Sequence, residues 1–138
     1  MKSERGLALI EALLLGLVLI VPLIWVLGVL SSVHQGALAA TSAAREAGVD
    51  AARARDLEGA SRAVETAVAR AFVDHGLDPS EAVIRFSAAP HLARGGTVQV
   101  VVRYPVEVIS APLLGEIGGP AVWVDARNVT RIEPYGSR

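Results

Sequence analysis

The sequence predicts an α+β protein: one long N-terminal helix packed on a small antiparallel three-stranded sheet. Three observations carry this expectation. A leucine-rich apolar run opens the chain, an alanine-rich stretch without proline continues it, and three valine-bearing alternating stretches split by glycine and proline follow. Three strands with one apolar face are not stable alone in water and need a cover, and the apolar face of the helix over residues 57–72 is expected to supply it.

The first element is a span. Lys2, Glu4 and Arg5 make a short polar head, and residues 12–30, about 19 in all, carry no charge. A helix needs ~20 apolar residues to cross the hydrocarbon core. Over residues 7–33 the only charge is Glu11, and that length gives ~40 Å of helix. Secretory signals have shorter apolar runs, ~7–15 residues, so residues 7–33 read as a transmembrane helix. Pro22 lies within it; proline removes a backbone bond and usually bends a helix. Lys2 and Arg5 before the run favour a cytoplasmic N-terminus, with the C-terminal region on the other side of the membrane.

Residues 34–78 form the second region. Alanine gives it strong helix propensity, weakened at Gly48 and Gly59. Asp50 or Asp56 suits the cap of a restarted helix. Leu57, Ala60, Val64, Ala67, Val68, Ala71 and Phe72 recur at helical spacing and make one apolar face. Gly76 and Pro79 end the helix. The expectation is one long helix, or two nearly collinear ones, leaving the membrane.

Residues 79–138 read as strands. AVIRFSA (82–88) places Ile84 and Phe86 on one side, and Gly95-Gly96 marks a turn. Residues 97–109 alternate, with Val98, Val100, Val102 and Tyr104 facing one way. Pro105 belongs at an edge or a bulge. Residues 110–120 hold Pro112, Gly115, Gly118, Gly119 and Pro120 and read as a loop. In residues 121–133, Val122, Val124, Ala126 and Ile132 share one parity, and Trp123 falls on the other face, half exposed. Residues 134–138 read as a loose tail.

Composition narrows the function. Hydrophobic residues make up 52% of the chain, concentrated in its first quarter, and the net charge of −1 leaves no electrostatic footprint for nucleic acid. With no cysteine there is no disulfide, thiol nucleophile or cysteine metal site. His34, His75 and His91 lack metal-ligand spacing, and neither a nucleophile elbow nor a phosphate-binding glycine loop is present. The sequence therefore predicts no enzyme, no cofactor, no metal and no small-molecule substrate. Asn128-Val129-Thr130 matches a glycosylation sequon, but inside a strand.

Glu11 is the residue that needs a reason. An acidic group at the centre of a span costs ~2.5–3.5 kcal/mol on insertion scales. Glu11 is four residues past Leu7, ~6 Å deep, where it can snorkel to the surface. Its neighbours give it another meaning. Arg5 stands before Gly6, Gly6 before the apolar Leu7, and Glu11 is fifth counting from Leu7. RG-LALIE thus resembles the processing signal of type IV pilins and pilin-like proteins. Along most of its length the chain resembles the TadE/TadF-like minor pilins of the tight-adherence (Flp) pilus system. The similarities include the leucine-rich span with a proline, AAREAG, the strand TVQVVVRYPVEV, the PLL at residues 112–114 and a last strand ending near residues 131–133. Two departures stand out. Leu7 replaces the phenylalanine or methionine common at the first mature position, and Ala12 replaces the tyrosine that follows the glutamate in the major Flp pilin. The second departure, like the folded C-terminal part, argues against the major subunit.

The resemblance implies a role for each residue. Residues 1–6 would be a leader, removed after Gly6 by a prepilin peptidase that supplies the catalytic acids. Cleavage would leave a new ammonium on Leu7, and Glu11 would pair with the Leu7 ammonium of a neighbouring pilin subunit and set axial register. The implied partners are the prepilin peptidase, other pilin subunits, the Tad/Flp assembly machinery and the membrane. Small residues at Ala8, Ala12 and Gly16, and again at Gly28, Ser32, Gly36, Ala40, Ala44, Gly48 and Ala52, add small-xxx-small spacing for helix contact. Two other readings stay open: an exported domain cut near residues 37–39, and a single-pass envelope protein with an interaction role that is never processed at Gly6.

Overall fold

A computed structural model of the chain describes residues 2–89, 92, 94–108 and 120–133, with side chains from Gly6 onward. Helix α1 (Lys2–Arg53) is followed by α2 (Leu57–Asp74), a 3-10 turn (Pro79–Glu81), and strands β1 (Val83–Ala89), β2 (Thr97–Glu107) and β3 (Ala121–Arg131). The predicted class stands: a long N-terminal helix packs on one antiparallel sheet of order β1-β2-β3.

α1 runs unbroken through Pro22 and through Gly48 to Arg53. Its 52 residues span ~78 Å. From Gly36 onward one stripe is buried, made only of small residues: Gly36, Ala39, Ala40, Ala43, Ala44, Ala47, Gly48 and Ala51. This is the i, i+3, i+4, i+7 pattern of a helix lying against a core.

The second helix corrects the expectation of a collinear continuation. The chain turns over three residues, and Asp56 caps the new helix with extended backbone, its carboxylate accepting the Gly59 N–H at 2.6 Å. α2 then folds back along α1. Its last turn brings the Phe72 ring to 4.7 Å from that of Tyr104, and Tyr104 lies beside Gly36, near the start of the buried stripe. The reason is burial. A straight continuation would leave the face of Val64, Val68 and Phe72, and the part of the alanine stripe that the sheet does not cover, in water. Folding back buries both, and fully burying a valine or phenylalanine contributes about 1.5–3 kcal/mol. Leu57, expected on that face, is instead 47% exposed. α2 ends at Gly76 (φ 70°), where Leu77 N–H bonds Phe72 C=O and Gly76 N–H bonds Val73 C=O, each at 2.9 Å. Only glycine takes that conformation without steric cost.

β2 is the central strand and the most buried. Val98, Val100, Val102, Tyr104 and Val106 point inward. β1 pairs with it from Ala89↔Thr97 to Val83↔Arg103, and β3 from Thr97↔Arg131 to Glu107↔Ala121. β1 ends opposite Arg103, so Pro105 sits where β2 has a neighbour on one side only, as expected for a residue without a backbone donor. The strands end slightly short of expectation, at Glu107 and Arg131; residues 109–119, with the PLL, and residues 134–138 lie outside the described residues.

The cover of the sheet also differs from the simplest expectation. α1 itself lies on β2 and β3, with α2 packed beside it. Near the start of the stripe Gly36 faces Val106, Tyr104 and Val124; near its end Gly48 faces Asn128 and Thr130. Twelve helical residues rise ~18 Å, and five strand residues from Val124 advance ~17 Å, so β3 runs alongside α1. A Cβ at Gly48 would press on Asn128 Nδ2 and Thr130 Oγ1, two half-buried groups that bond each other at 2.8 Å. The sequon asparagine is thus committed to packing. A Cβ at Gly28 would meet nothing within 4 Å.

This contrast predicts different outcomes for one substitution at two sites. Gly→Ala in a helix interior normally stabilises by about 0.5–1 kcal/mol. Gly28→Ala should leave the denaturation midpoint of the head unchanged, whereas Gly48→Ala should lower head stability by about 1–3 kcal/mol through overpacking. Adding Asn128→Ala should recover part of that loss, measured as a double-mutant cycle by thermal or denaturant unfolding.

Candidate processing and assembly site

Gly6, Leu7 and Glu11 lie in the first turns of α1, far from the sheet. Leu7 and Glu11 are four residues apart, so they share one helix face ~6 Å apart along the axis. Glu11 opens on a shallow apolar hollow with Leu7, Ile10, Leu14, Leu15 and Val18. Among the described residues Glu11 makes no hydrogen bond or ion pair. Leu7 is 72% exposed. A Cβ at Gly6 would meet nothing within 4 Å. Packing among the described residues therefore accounts for neither the glycine nor the glutamate.

The helix around them is exposed and apolar on every side. From Leu7 to Leu30 the large side chains stand away from the rest of the chain, Trp25 among them. The helix over Gly6–Arg53 contains a stretch long and apolar enough to cross a membrane, and none of that stretch is covered by the head. In water such a surface exceeds the apolar patch a soluble monomer ordinarily shows. In hydrocarbon it carries no penalty, and the helix satisfies its own backbone groups. A candidate membrane anchor is thus what the fold provides at this end.

Two further groups were not legible in the sequence. Where the apolar helix meets the head, an open cleft of about 310 Å³ is lined by Ser32, Gln35, Leu77, Glu81, Tyr104 and Glu107. It joins α1, the end of α2 and β2, residues distant in sequence. Burial, and after it the Glu81 carboxylate close by, pushes the Tyr104 phenol above its ordinary value. On the outer face of the sheet, Trp123 is half exposed as expected and carries the Arg103 guanidinium 5.4 Å from its ring centre. Arg103 also pairs with Asp125 at 2.7 Å. The signal was cross-strand register, Arg103↔Asp125 and Pro105↔Trp123, which sequence alone does not supply.

The described histidines belong to no cluster of metal-ligating side chains. His34 is exposed on α1, His75 is held at the end of α2 with Nδ1 2.8 Å from Ala71 C=O, and His91 lies outside the described residues. Among the described residues no group of three or more metal-ligating side chains comes together. Comparison with protein-family models, with curated proteins and with solved structures gives no match to this chain.

The shifted phenol gives a pH dependence. A raised Tyr104 pKa means the folded state holds the proton more tightly than the unfolded one. The stabilisation is complete below about pH 10, the ordinary tyrosine value, and is lost as pH rises through the folded value. Tyr104→Phe should remove the late-ionising part of the tyrosinate absorbance and flatten the alkaline limb of a stability-versus-pH curve.

Proposed function

We propose that this chain is a pilin-like minor subunit or assembly factor of a Flp/Tad-type pilus, of the TadE/TadF-like kind, processed by a prepilin peptidase after Gly6. The observation that carries the reading is the placement of Gly6, Leu7 and Glu11: a glycine, a leucine and a carboxylate that the fold itself does not use, at the charge-to-apolar boundary of a free helix. On this reading the chain is held in the membrane by residues 7–33, N-terminus cytoplasmic, until it is processed and extracted.

Each residue then has a chemical task. Gly6 has no side chain, so its backbone leaves helical geometry at low cost and approaches the peptidase carboxylates closely. Hydrolysis of the Gly6–Leu7 bond releases the six-residue leader and frees an ammonium on Leu7. Within one chain that ammonium and the Glu11 carboxylate share a helix face. Between neighbouring subunits the same two groups would pair in a low-dielectric bundle of spans. Each charge would offset the other's desolvation, and the helices would be fixed in register. The buried stripe at Gly36, Ala40, Ala44 and Gly48 is already taken by the chain's own sheet and α2. Contact between spans therefore falls to Ala8, Ala12, Gly16 and Gly28, which the fold leaves uncovered.

Two measurements test this. Intact mass of the membrane-purified chain, with and without co-expressed prepilin peptidase, should show a new N-terminus at Leu7. Gly6→Val should keep the leader on. A start near residue 40 would support an exported domain instead, and an unchanged start in both cases an unprocessed anchor. If processing occurs, Glu11→Gln should still be cut but be recovered with pili at least about tenfold less well, the equivalent of roughly 1.4 kcal/mol of lost pairing.

A further inference from the structure

Contacts with α1 set the height of each strand along the long helix. Gly36 faces Val124, and Gly48 faces Asn128 and Thr130, so β3 rises in the same direction as α1. From Val124 back to Ala121 is three strand residues, ~10 Å. That is the rise of about six or seven helical residues, which brings Ala121 level with Leu30. The cleft gives the same height independently. Ala121 pairs with Glu107, and Glu107 lines the cleft together with Ser32. The first residues of β3 therefore stand beside the last turn of the apolar run over residues 7–33. Trp123, one residue before Val124, comes level with His34, just past the end of that run.

The side chains at this end of β3 suit neither water nor the core. Val122 has the inward parity of Val124 and Ala126, yet it is 45% exposed. Trp123, on the outer face, is 50% exposed, and Ala121 is exposed as well. Opposite Trp123 the central strand carries Pro105. Beside them on α1, Leu27 and Leu30 are exposed. Two apolar surfaces on different elements thus lie side by side at one height. The charges nearby do not select an anion. Arg103 is paired with Asp125 at 2.7 Å and lies 5.4 Å from the centre of the Trp123 ring. Glu107 is exposed next to Ala121. These three groups leave one uncompensated negative charge.

We propose that Ala121, Val122 and Trp123 seat the head on the lipid interface of the membrane that residues 7–33 cross. The height of the span selects this occupant. Ala121 lies ~5 Å inside the end of the apolar run, a depth at which interfacial segments bury apolar side chains. Trp123 falls at headgroup level, where tryptophan keeps its ring in apolar surroundings and its N–H in polar ones. Arg103 and Asp125 hold the ring from the side away from the bilayer. The contact is apolar and aromatic, and it does not need anionic lipid. A lone helix would let the head rock and turn about its axis. A second point of contact on the β3 side fixes which face of the head lies next to the bilayer. The inference rests on residues 7–33 as a span and does not depend on cleavage after Gly6.

Tryptophan fluorescence tests it. The chain has two tryptophans, so full-length Trp25→Phe reports Trp123 alone, and full-length Trp123→Phe reports Trp25 alone. Each is reconstituted in phosphatidylcholine vesicles whose acyl chains carry bromine either close to the headgroup or near the chain end. Trp123 should be quenched more by the shallow bromines than by the deep ones, and only weakly by acrylamide supplied on both sides. Diluting the protein in lipid should not change this, and replacing part of the lipid with phosphatidylglycerol should not strengthen it. Ala121→Glu with Val122→Glu should lose most of the lipid quenching and gain acrylamide quenching. Both positions are exposed, and an unchanged thermal melt separates lost seating from lost folding. Trp123 open to acrylamide and untouched by brominated lipid would overturn the proposal. So would shielding from both quenchers that disappears on dilution, which marks a protein contact. Trp25, ~12 Å inside the end of the run, should be quenched by brominated lipid if the span holds. Trp25 in lipid with Trp123 in water removes the seat and leaves the span, whereas Trp25 in water removes both.

Discussion

Everything in the head depends on how closely other elements can approach one face of α1. From Gly36 to Ala51 that face carries nothing larger than a methyl group, and two different neighbours use it. The sheet comes down on Gly36 and Gly48, and α2 lies alongside. Buried alanines contribute little transfer energy themselves. They let the larger groups, Val64, Val68 and Phe72 of α2 and the valines of β2, reach one another across a thin helix surface. Larger side chains on α1 would separate the layers and leave those groups with water between them. Close packing leaves little room for adjustment, so the stripe tolerates small residues only.

The same helix meets a second requirement at its other end. Between Gly6 and Leu30 it is apolar apart from Glu11, and among the described residues its large side chains are left exposed. One continuous element thus passes from a surface that suits hydrocarbon to one that suits a protein core. The boundary falls near Val33, where burial begins and where the polar cleft around Tyr104 opens. Residues on the head side are explained by what they touch. On the apolar side Gly6 and Glu11 touch nothing among the described residues that would require them.

The class, the three strands, the inward parity of Val98 to Tyr104 and the caps at Asp56 and Gly76 were legible because each follows from local pattern or backbone chemistry. The reversal between α1 and α2 was not. Helical periodicity says which face of a helix is apolar but not where its partner lies, and an alanine-rich stretch reads equally well as one rod or as a hairpin. Gly48 misled in an instructive way. Its low propensity pointed to a weak helix, yet the helix continues and the glycine admits Asn128 and Thr130. The small-residue spacing on α1 was read as contact between helices, and for Gly36 to Gly48 the partners belong to the same chain. At the candidate site, the spacing of Gly6, Leu7 and Glu11 was readable directly, because all three sit on one short piece of helix. The cleft and the group of Arg103, Trp123 and Asp125 needed strand register, which depends on turns the sequence specifies only loosely.

The continuity of α1 has a mechanical consequence. The apolar helix enters the core without a hinge, and β3 lies along it over ~17 Å. A force drawn along the helix axis is therefore felt by the whole alanine stripe together, as sliding against the sheet and α2. Contacts loaded in shear share the load, whereas contacts peeled from one end fail in turn. The head is joined to the apolar helix in an orientation that loads their contacts in shear, so a pull along the helix axis is shared by the whole stripe and not taken by one contact at a time.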